Sequence, residues 1–271
     1  MTQSVDCLIV GGGPAGLTAA VYVARFRLSV VVIDAGDSRA AQIPCTRNQA
    51  CFPEGISGRD LLDRMRQHAI RSGARLERGV VTGLTIDGDA FAVAASGGAR
   101  VARAVLLATG LSNRRPPMSD DVHAAALAAG RLRYCPVCDG FEVSDQNVAV
   151  IGTGEHGVKE ALFLRSYTDR VTMISPGATH DLTAAQVKRL DEASVVVLDG
   201  PVREIALEGE GLGFVCGVGR RSFEAVYPAM GSVVHSRLAA AVGAGLTDDG
   251  CIKVDAHQRT SITGLYAAGD L

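Results

Sequence analysis

The sequence predicts an α/β fold built from two similar units, the second inserted into the first. Two internal repeats carry that expectation. Gly152, Gly154 and Gly157 stand 141 residues after Gly11, Gly13 and Gly16, and the flanking strand and helix patterns repeat at the same offset. An acidic-glycine turn at Asp87-Gly88-Asp89, and the stretch that follows it, repeats 121 residues later at Glu208-Gly209-Glu210. A third observation bounds the class: no apolar run reaches the roughly 18 residues of a membrane span.

The elements follow in order. Residues 5–10 form an apolar strand that runs into Gly11-Gly12-Gly13-Pro14-Ala15-Gly16. An apolar-periodic helix comes next, and then a second strand at residues 30–33 ends at Asp34. Residues 35–57 make an excursion that holds Cys45, Asn48 and Cys51 and has no counterpart in the second unit. In the helix expected over residues 58–72, Leu61, Leu62, Met65 and Ala69 share one face. A β-meander closes on Ala108-Thr109-Gly110, and Asn113-Arg114-Arg115-Pro116-Pro117 reads as a linker stiffened by its prolines. The second unit repeats strand, turn, helix and strand over residues 147–175, followed by its own meander. The expected organisation is residues 1–115 and 226–271 in the first domain, with residues 116–225 between them.

Glycine, at 32 of 271 residues, lies well above the ordinary share of about 7%, which suits tight turns and close backbone approach to a ligand. The chain is 47% hydrophobic and 21% charged, so it can bury a core. A formal charge of -2 argues against a nucleic-acid partner. The N-terminus lacks the cationic start of a signal peptide, so a cytoplasmic protein with no membrane partner is expected. Seven scattered cysteines do not make a disulfide scaffold. The histidines are dispersed, and no metal site is expected.

In a Gly-x-Gly-x-x-Gly string, the first glycine makes the turn and the second admits a pyrophosphate. The third lets the helix pack on the strand, with its N-terminus toward the phosphates. The strand before and helix after each string are the context that gives it meaning. Both units therefore read as Rossmann-like, dinucleotide-binding domains. In the first, Asp34 can accept both hydroxyls of an adenosine ribose. In the second, Ser175 stands in that place and no arginine follows it, so two readings stay open: a nicotinamide site for NADH or NADPH, or a glycine turn kept for folding. His156, within that turn, reads as exposed.

Cys135-Pro136-Val137-Cys138-Asp139-Gly140 is the redox candidate. Two intervening residues allow a reversible disulfide, one thiolate attacking a target while the other resolves the mixed disulfide. Asp139 can supply the proton that a leaving thiolate needs. With no second Cys-x-x-Cys or Cys/His pair, zinc is disfavoured. Cys7, Cys216 and Cys251 fall in apolar runs and are expected in the core.

These motifs, in this order, resemble the low-molecular-weight thioredoxin reductases among the FAD-dependent pyridine nucleotide-disulfide oxidoreductases. Thr260-Ser-Ile-Thr-Gly-Leu-Tyr-Ala-Ala-Gly269-Asp270 completes the match. The resemblance implies FAD on Gly11, Gly13, Pro14, Ala15, Gly16 and Asp34, with Thr109, Gly110, Gly269 and Asp270 also at the cofactor and Asn48 near its ring system. It implies that Cys138 exchanges electrons with the flavin, Cys135 attacks the substrate disulfide and Asp139 is the general acid. The implied partner is a thioredoxin-like protein or a small-molecule disulfide or dithiol, and the implied assembly is a homodimer. Relatives that use NADPH carry His-Arg-Arg where this chain has Ser175-Pro176-Gly177, and relatives continue into a C-terminal helix where this sequence stops at Leu271. The first departure keeps two alternatives in play beside a nicotinamide-driven reductase: a ferredoxin-linked reductase and a dithiol oxidase that uses oxygen. A separate reading is a flavin-binding redox sensor in which the cysteine pair switches a partner interface.

Overall fold

The structure, a computed structural model, describes residues 4–271. The chain divides into two compact units. The first comprises the segments up to Gln42, Gly58–Ser112 and Val233–Leu271, and the second comprises Ile43–Ser57 and Asn113–Ser232.

The first unit opens with β1 (Ser4–Val10), α1 (Pro14–Arg25) and β2 (Val30–Asp34). The excursion follows, and then α2 (Gly58–Ser72), β3 (Arg75–Arg78), β4 (Val81–Asp87), β5 (Ala90–Ala95) and β6 (Gly98–Leu107). These strands form one sheet in the order β3-β2-β1-β6-β5-β4. β3, β2, β1 and β6 run parallel, while β4, β5 and β6 make the antiparallel meander. Val30 to Ile33 are all buried, as a parallel strand covered on both faces requires. In α1, Gly16, Leu17, Ala20, Val21 and Ala24 face the sheet at helical spacing. Pro14 at the first helical position presets the backbone for that helix. Burying Leu17 alone contributes about 2 kcal/mol. Gly16 cannot be enlarged, because a Cβ there would strike the Gly11 carbonyl oxygen.

The chain passes between units along β7 (Leu111–Asn113), which later pairs with a returning strand. The second unit contains α3 (Asp120–Ala128), the short α4 (Pro136–Asp139), β8 (Val148–Gly152), α5 (Gly154–Leu164), β9 (Val171–Ile174) and α6 (Ala184–Glu192). β10 (Val196–Leu198), the antiparallel trio β11 (Arg203–Glu208), β12 (Gly211–Cys216) and β13 (Gly219–Phe223), and β14 (Ala225–Ala229) complete it. β10-β9-β8-β14 is a parallel sheet whose β8, β9 and β14 are wholly buried, while β11, β12 and β13 form a separate sheet. β15 (Ser232–Val234) pairs with β7, and α7 (Arg237–Ala241) and β16 (Leu265–Ala267) belong to the first unit, with β16 parallel to β6.

Three details differ from the sequence reading. The chain returns to the first unit at Val233 rather than at residue 226, because β14 supplies a parallel partner to β8. Residues 43–57, expected in the first domain, group with the second unit. The two meanders are also not alike. β6 is one continuous strand serving both β5 and β1, whereas its counterpart is cut at Glu224 into β13 and β14. Glu224 there accepts the Asn147 amide through its carboxylate at 2.8 Å.

Candidate active site

In the first unit, the turn between β1 and α1 leaves a helix N-terminus without a side-chain cap, at Gly13. The first-turn N–H groups of such a helix carry partial positive charge toward whatever lies beyond. Gly11 adopts φ +110°, and a Cβ there would meet the Ala108 carbonyl. Asp34 Oδ1 accepts from the amides of Gly12 and Gly36, each at 3.1 Å, and Arg66 lies 3.6 Å from Oδ2. A cavity of about 490 Å³ opens beside Asp34, with Arg59, Arg66 and Arg78 in its wall. Gly269, at φ +98°, sits over α1, where a Cβ would come within 3.0 Å of the Ala15 Cβ. Asp270, next to it, pairs with Arg39 at 3.0 Å. A ribose acceptor, a free helix N-terminus and an adjoining cavity are what an adenine dinucleotide such as FAD needs, so the residues fit that group.

Thr109 and Gly110 lie where the first unit's chain turns toward β7. The Thr109 hydroxyl donates to the His235 carbonyl at 2.7 Å, and Gly110, at φ +68°, accepts the His235 amide through its carbonyl at 3.0 Å. His235 places Nε2 3.0 Å from the Ser112 hydroxyl and Nδ1 3.1 Å from the Thr109 carbonyl. No spacing rule drew attention to His235 in the sequence. Asn48 lies in the segment that groups with the second unit, and its Oδ1 accepts the Thr46 hydroxyl at 2.6 Å.

In the second unit, Cys135 and Cys138 form a disulfide at the start of α4. Cys135 is half-buried and Cys138 exposed. Pro136 fixes the first helical position, so the two sulfurs are brought together by one turn of chain. Asp139 follows directly. Its Oδ2 pairs with Arg133 at 2.9 Å, and its Oδ1 accepts the Tyr227 hydroxyl at 2.8 Å. Tyr227 is fully buried in β14, and Arg133 is anchored by donating to the Gly130 carbonyl at 2.9 Å. Burial pushes the Asp139 carboxyl above its ordinary range, against the pull of the Arg133 guanidinium and the Tyr227 hydroxyl. A carboxyl so placed keeps a proton closer to neutral pH than a free aspartate does. Sequence reasoning missed both partners. Arg133 lies six residues before Asp139, but Tyr227 lies 88 residues after it and reaches it only through the fold.

The remaining thiols divide. Cys216 is buried in β12, as expected. Cys7 is only half-buried, yet burial pushes its thiol up to about 11, so it is no nucleophile near neutrality. Cys251 is half-buried and lies outside any strand, which corrects its reading as a core-strand residue. His156 is exposed, its Nε2 3.8 Å from Glu160.

The fold and the disulfide together define a dithiol–disulfide oxidoreductase carried on two dinucleotide folds. Comparison with known proteins agrees. Residues 5–271 match the pyridine nucleotide-disulphide oxidoreductase family. A thioredoxin reductase of Mycolicibacterium smegmatis is 31% identical over 98% of this chain and 88% of its own. The crystal structure of HlmI is 31% identical, with a TM-score of 0.89 over 100% of this chain and 86% of its own. That of thioredoxin reductase from Streptococcus pyogenes MGAS5005 is 26% identical, also with a TM-score of 0.89, over 100% and 90%. The chain belongs to the pyridine nucleotide-disulphide oxidoreductase family, as a thioredoxin-reductase-like flavoprotein.

Proposed function

We propose that this protein reduces a disulfide, in a thioredoxin-like protein or a small molecule, through Cys135 and Cys138. The observation that carries the reading is the Cys135–Cys138 disulfide with the raised Asp139 carboxyl beside it. The Gly11–Gly16 turn, Asp34 and Asp270 would hold FAD, which when bound would supply the electron pair that opens that disulfide. The Cys135 thiolate then attacks one sulfur of the substrate disulfide, giving a mixed disulfide and one substrate thiolate. Cys138 attacks the Cys135 sulfur, re-forms the Cys135–Cys138 bond and releases the second substrate thiolate. Asp139 gives its proton to a departing thiolate, and Arg133 and Tyr227 hold the carboxyl in place and stabilise its charged form afterwards. Asp139 supplies one proton and solvent the other, so two substrate thiols and one protein disulfide result, and atoms and electrons balance.

Trapping tests the order of attack. Reduced Cys138→Ser protein should accumulate a mixed disulfide with an oxidised thioredoxin-like protein, and Cys135→Ser protein should not. Trapping by Cys135→Ser alone would reverse the two roles. Trapping by neither would remove the pair from the reaction.

A further inference from the structure

The second glycine turn differs from the first in what lies against it. In the first unit, Ser38 and Gly269 approach the turn and the start of α1, and Asp34 takes the Gly12 amide, but among the described residues no returning segment accepts the amide of Gly13, the second glycine, in a main-chain hydrogen bond. In the second, the segment between β9 and α6 folds back across the turn. The Gly154 amide donates to the Asp181 carbonyl at 3.1 Å. The Asp181 amide donates to the Thr153 hydroxyl oxygen at 2.8 Å, and that oxygen lies 3.4 Å from the Asp181 carbonyl oxygen. Gly154 is the second glycine of the string, the one whose backbone a pyrophosphate must approach. Its N–H is already taken by the protein's own chain.

The segment is fastened along its length. The Ser175 hydroxyl, which stands where a ribose-binding acid would be, is buried and donates to the Thr179 carbonyl at 2.7 Å. His180 Nε2 lies 2.8 Å from the Leu198 carbonyl, and the His180 amide donates to Asp199 at 3.3 Å. Two residues beyond Asp181, Thr183 and Gln186 form a reciprocal capping box that fixes the start of α6. Opening the segment would therefore break several hydrogen bonds together.

Charge points the same way. Asp181 is exposed beside the turn, and Glu155 lies in the first turn of α5. Glu155 is held below the usual carboxylate range by the Gln186 amide and the Arg189 guanidinium, so it is ionised. A carboxylate already occupies the positive end of that helix, and a second stands next to it. Both repel a pyrophosphate. Lys159 and Arg189, at 3.8 and 3.1 Å from Glu155, are drawn to that carboxylate. Residues 175–182 contain no lysine or arginine for a 2′-phosphate.

We propose that the 176–183 segment is a built-in strap that closes the second glycine turn, so that neither NADH nor NADPH is the electron donor through this site. The second unit then serves as the carrier of Cys135 and Cys138. The proposal rests on the disulfide-reductase reading for its meaning, but it is tested separately.

The full-length flavoprotein is mixed, without oxygen, with NADH or NADPH at about 1 mM, the upper end of ordinary KM values. Binding is followed by nicotinamide fluorescence and reduction by the flavin absorbance band. Neither nucleotide should bind or bleach the flavin. The variant Thr153→Ala/Asp181→Ala, which loosens the strap and removes one carboxylate, should tighten NADH binding about tenfold, enough to bring it into the detectable range at that concentration. Binding or bleaching by either nucleotide in the parent overturns the proposal. So does a correctly folded double variant that binds no more tightly. Dithiothreitol serves as the control that separates the two readings. If it fails to bleach the parent flavin, the cysteine chemistry is contradicted while the nucleotide-binding result still decides the strap.

Discussion

Tyr227→Phe isolates the control of the catalytic proton. The substitution keeps the buried ring and deletes only the hydroxyl that donates to Asp139 Oδ1 at 2.8 Å. A hydrogen bond to a charged group is worth about 1.5–3 kcal/mol. That bond favours the carboxylate over the carboxyl, so its loss raises the Asp139 pKa further. The sign for activity follows directly. Asp139 acts as an acid only while protonated, so exchange falls as pH rises through its pKa. In Tyr227→Phe, that falling limb should move to higher pH. The assay is the rate of disulfide reduction across pH 5–10, with flavin content matched between the two proteins. A limb that stays in place, with the Cys135–Cys138 pair still forming, would show that Asp139 does not set it.

Other residues give independent checks. Glu160 is 11% exposed, its Oε1 has no partner among the described residues, and burial pushes its carboxyl from 4.5 up to about 7. A raised acid keeps its full contribution to stability below its unfolded pKa and loses it as pH rises through the folded one. Glu160→Gln should thus be the more stable protein above pH 7, by roughly 3 kcal/mol, and similar to the parent near pH 4.5; melting curves at both pH values decide this. Gly11→Ala places a Cβ against the Ala108 carbonyl at a φ of +110°. It should lose at least about 1–3 kcal/mol of stability, together with FAD retention on gel filtration. Thr183→Ala removes the capping box of α6, which should lower stability by about 0.5–2 kcal/mol, read as a drop in Tm of a few degrees.

What the sequence made legible was local. Each glycine turn announced itself because strand, turn and helix are contiguous, and Cys135, Cys138 and Asp139 lie within five residues. The duplicated architecture followed from the constant offset between those local signals. What stayed hidden depended on long-range contact or on backbone groups. Tyr227 carries no mark that ties it to Asp139 before β14 is laid beside β8. Each bond of the strap uses a main-chain N–H or C=O at one end at least, and those groups leave no trace in a residue's name. For that reason the sequence left the second turn open between two readings. The return to the first unit was placed seven residues early because β14 and β6 look alike as apolar strands. Their difference lies at Glu224, a polar residue whose amide and carboxylate both engage Asn147.

The account stands or falls on electrons crossing between the flavin and the substrate through the cysteine pair. The direct measurement reduces the bound flavin with light, without oxygen, and then adds an oxidised thioredoxin-like protein or a small disulfide. No donor site needs to be assumed. In the parent protein the flavin absorbance should return as the substrate thiols form. In Cys138→Ser the flavin should remain reduced, although FAD is bound as before. Recovery of the absorbance at the parental rate in that variant would contradict the central claim.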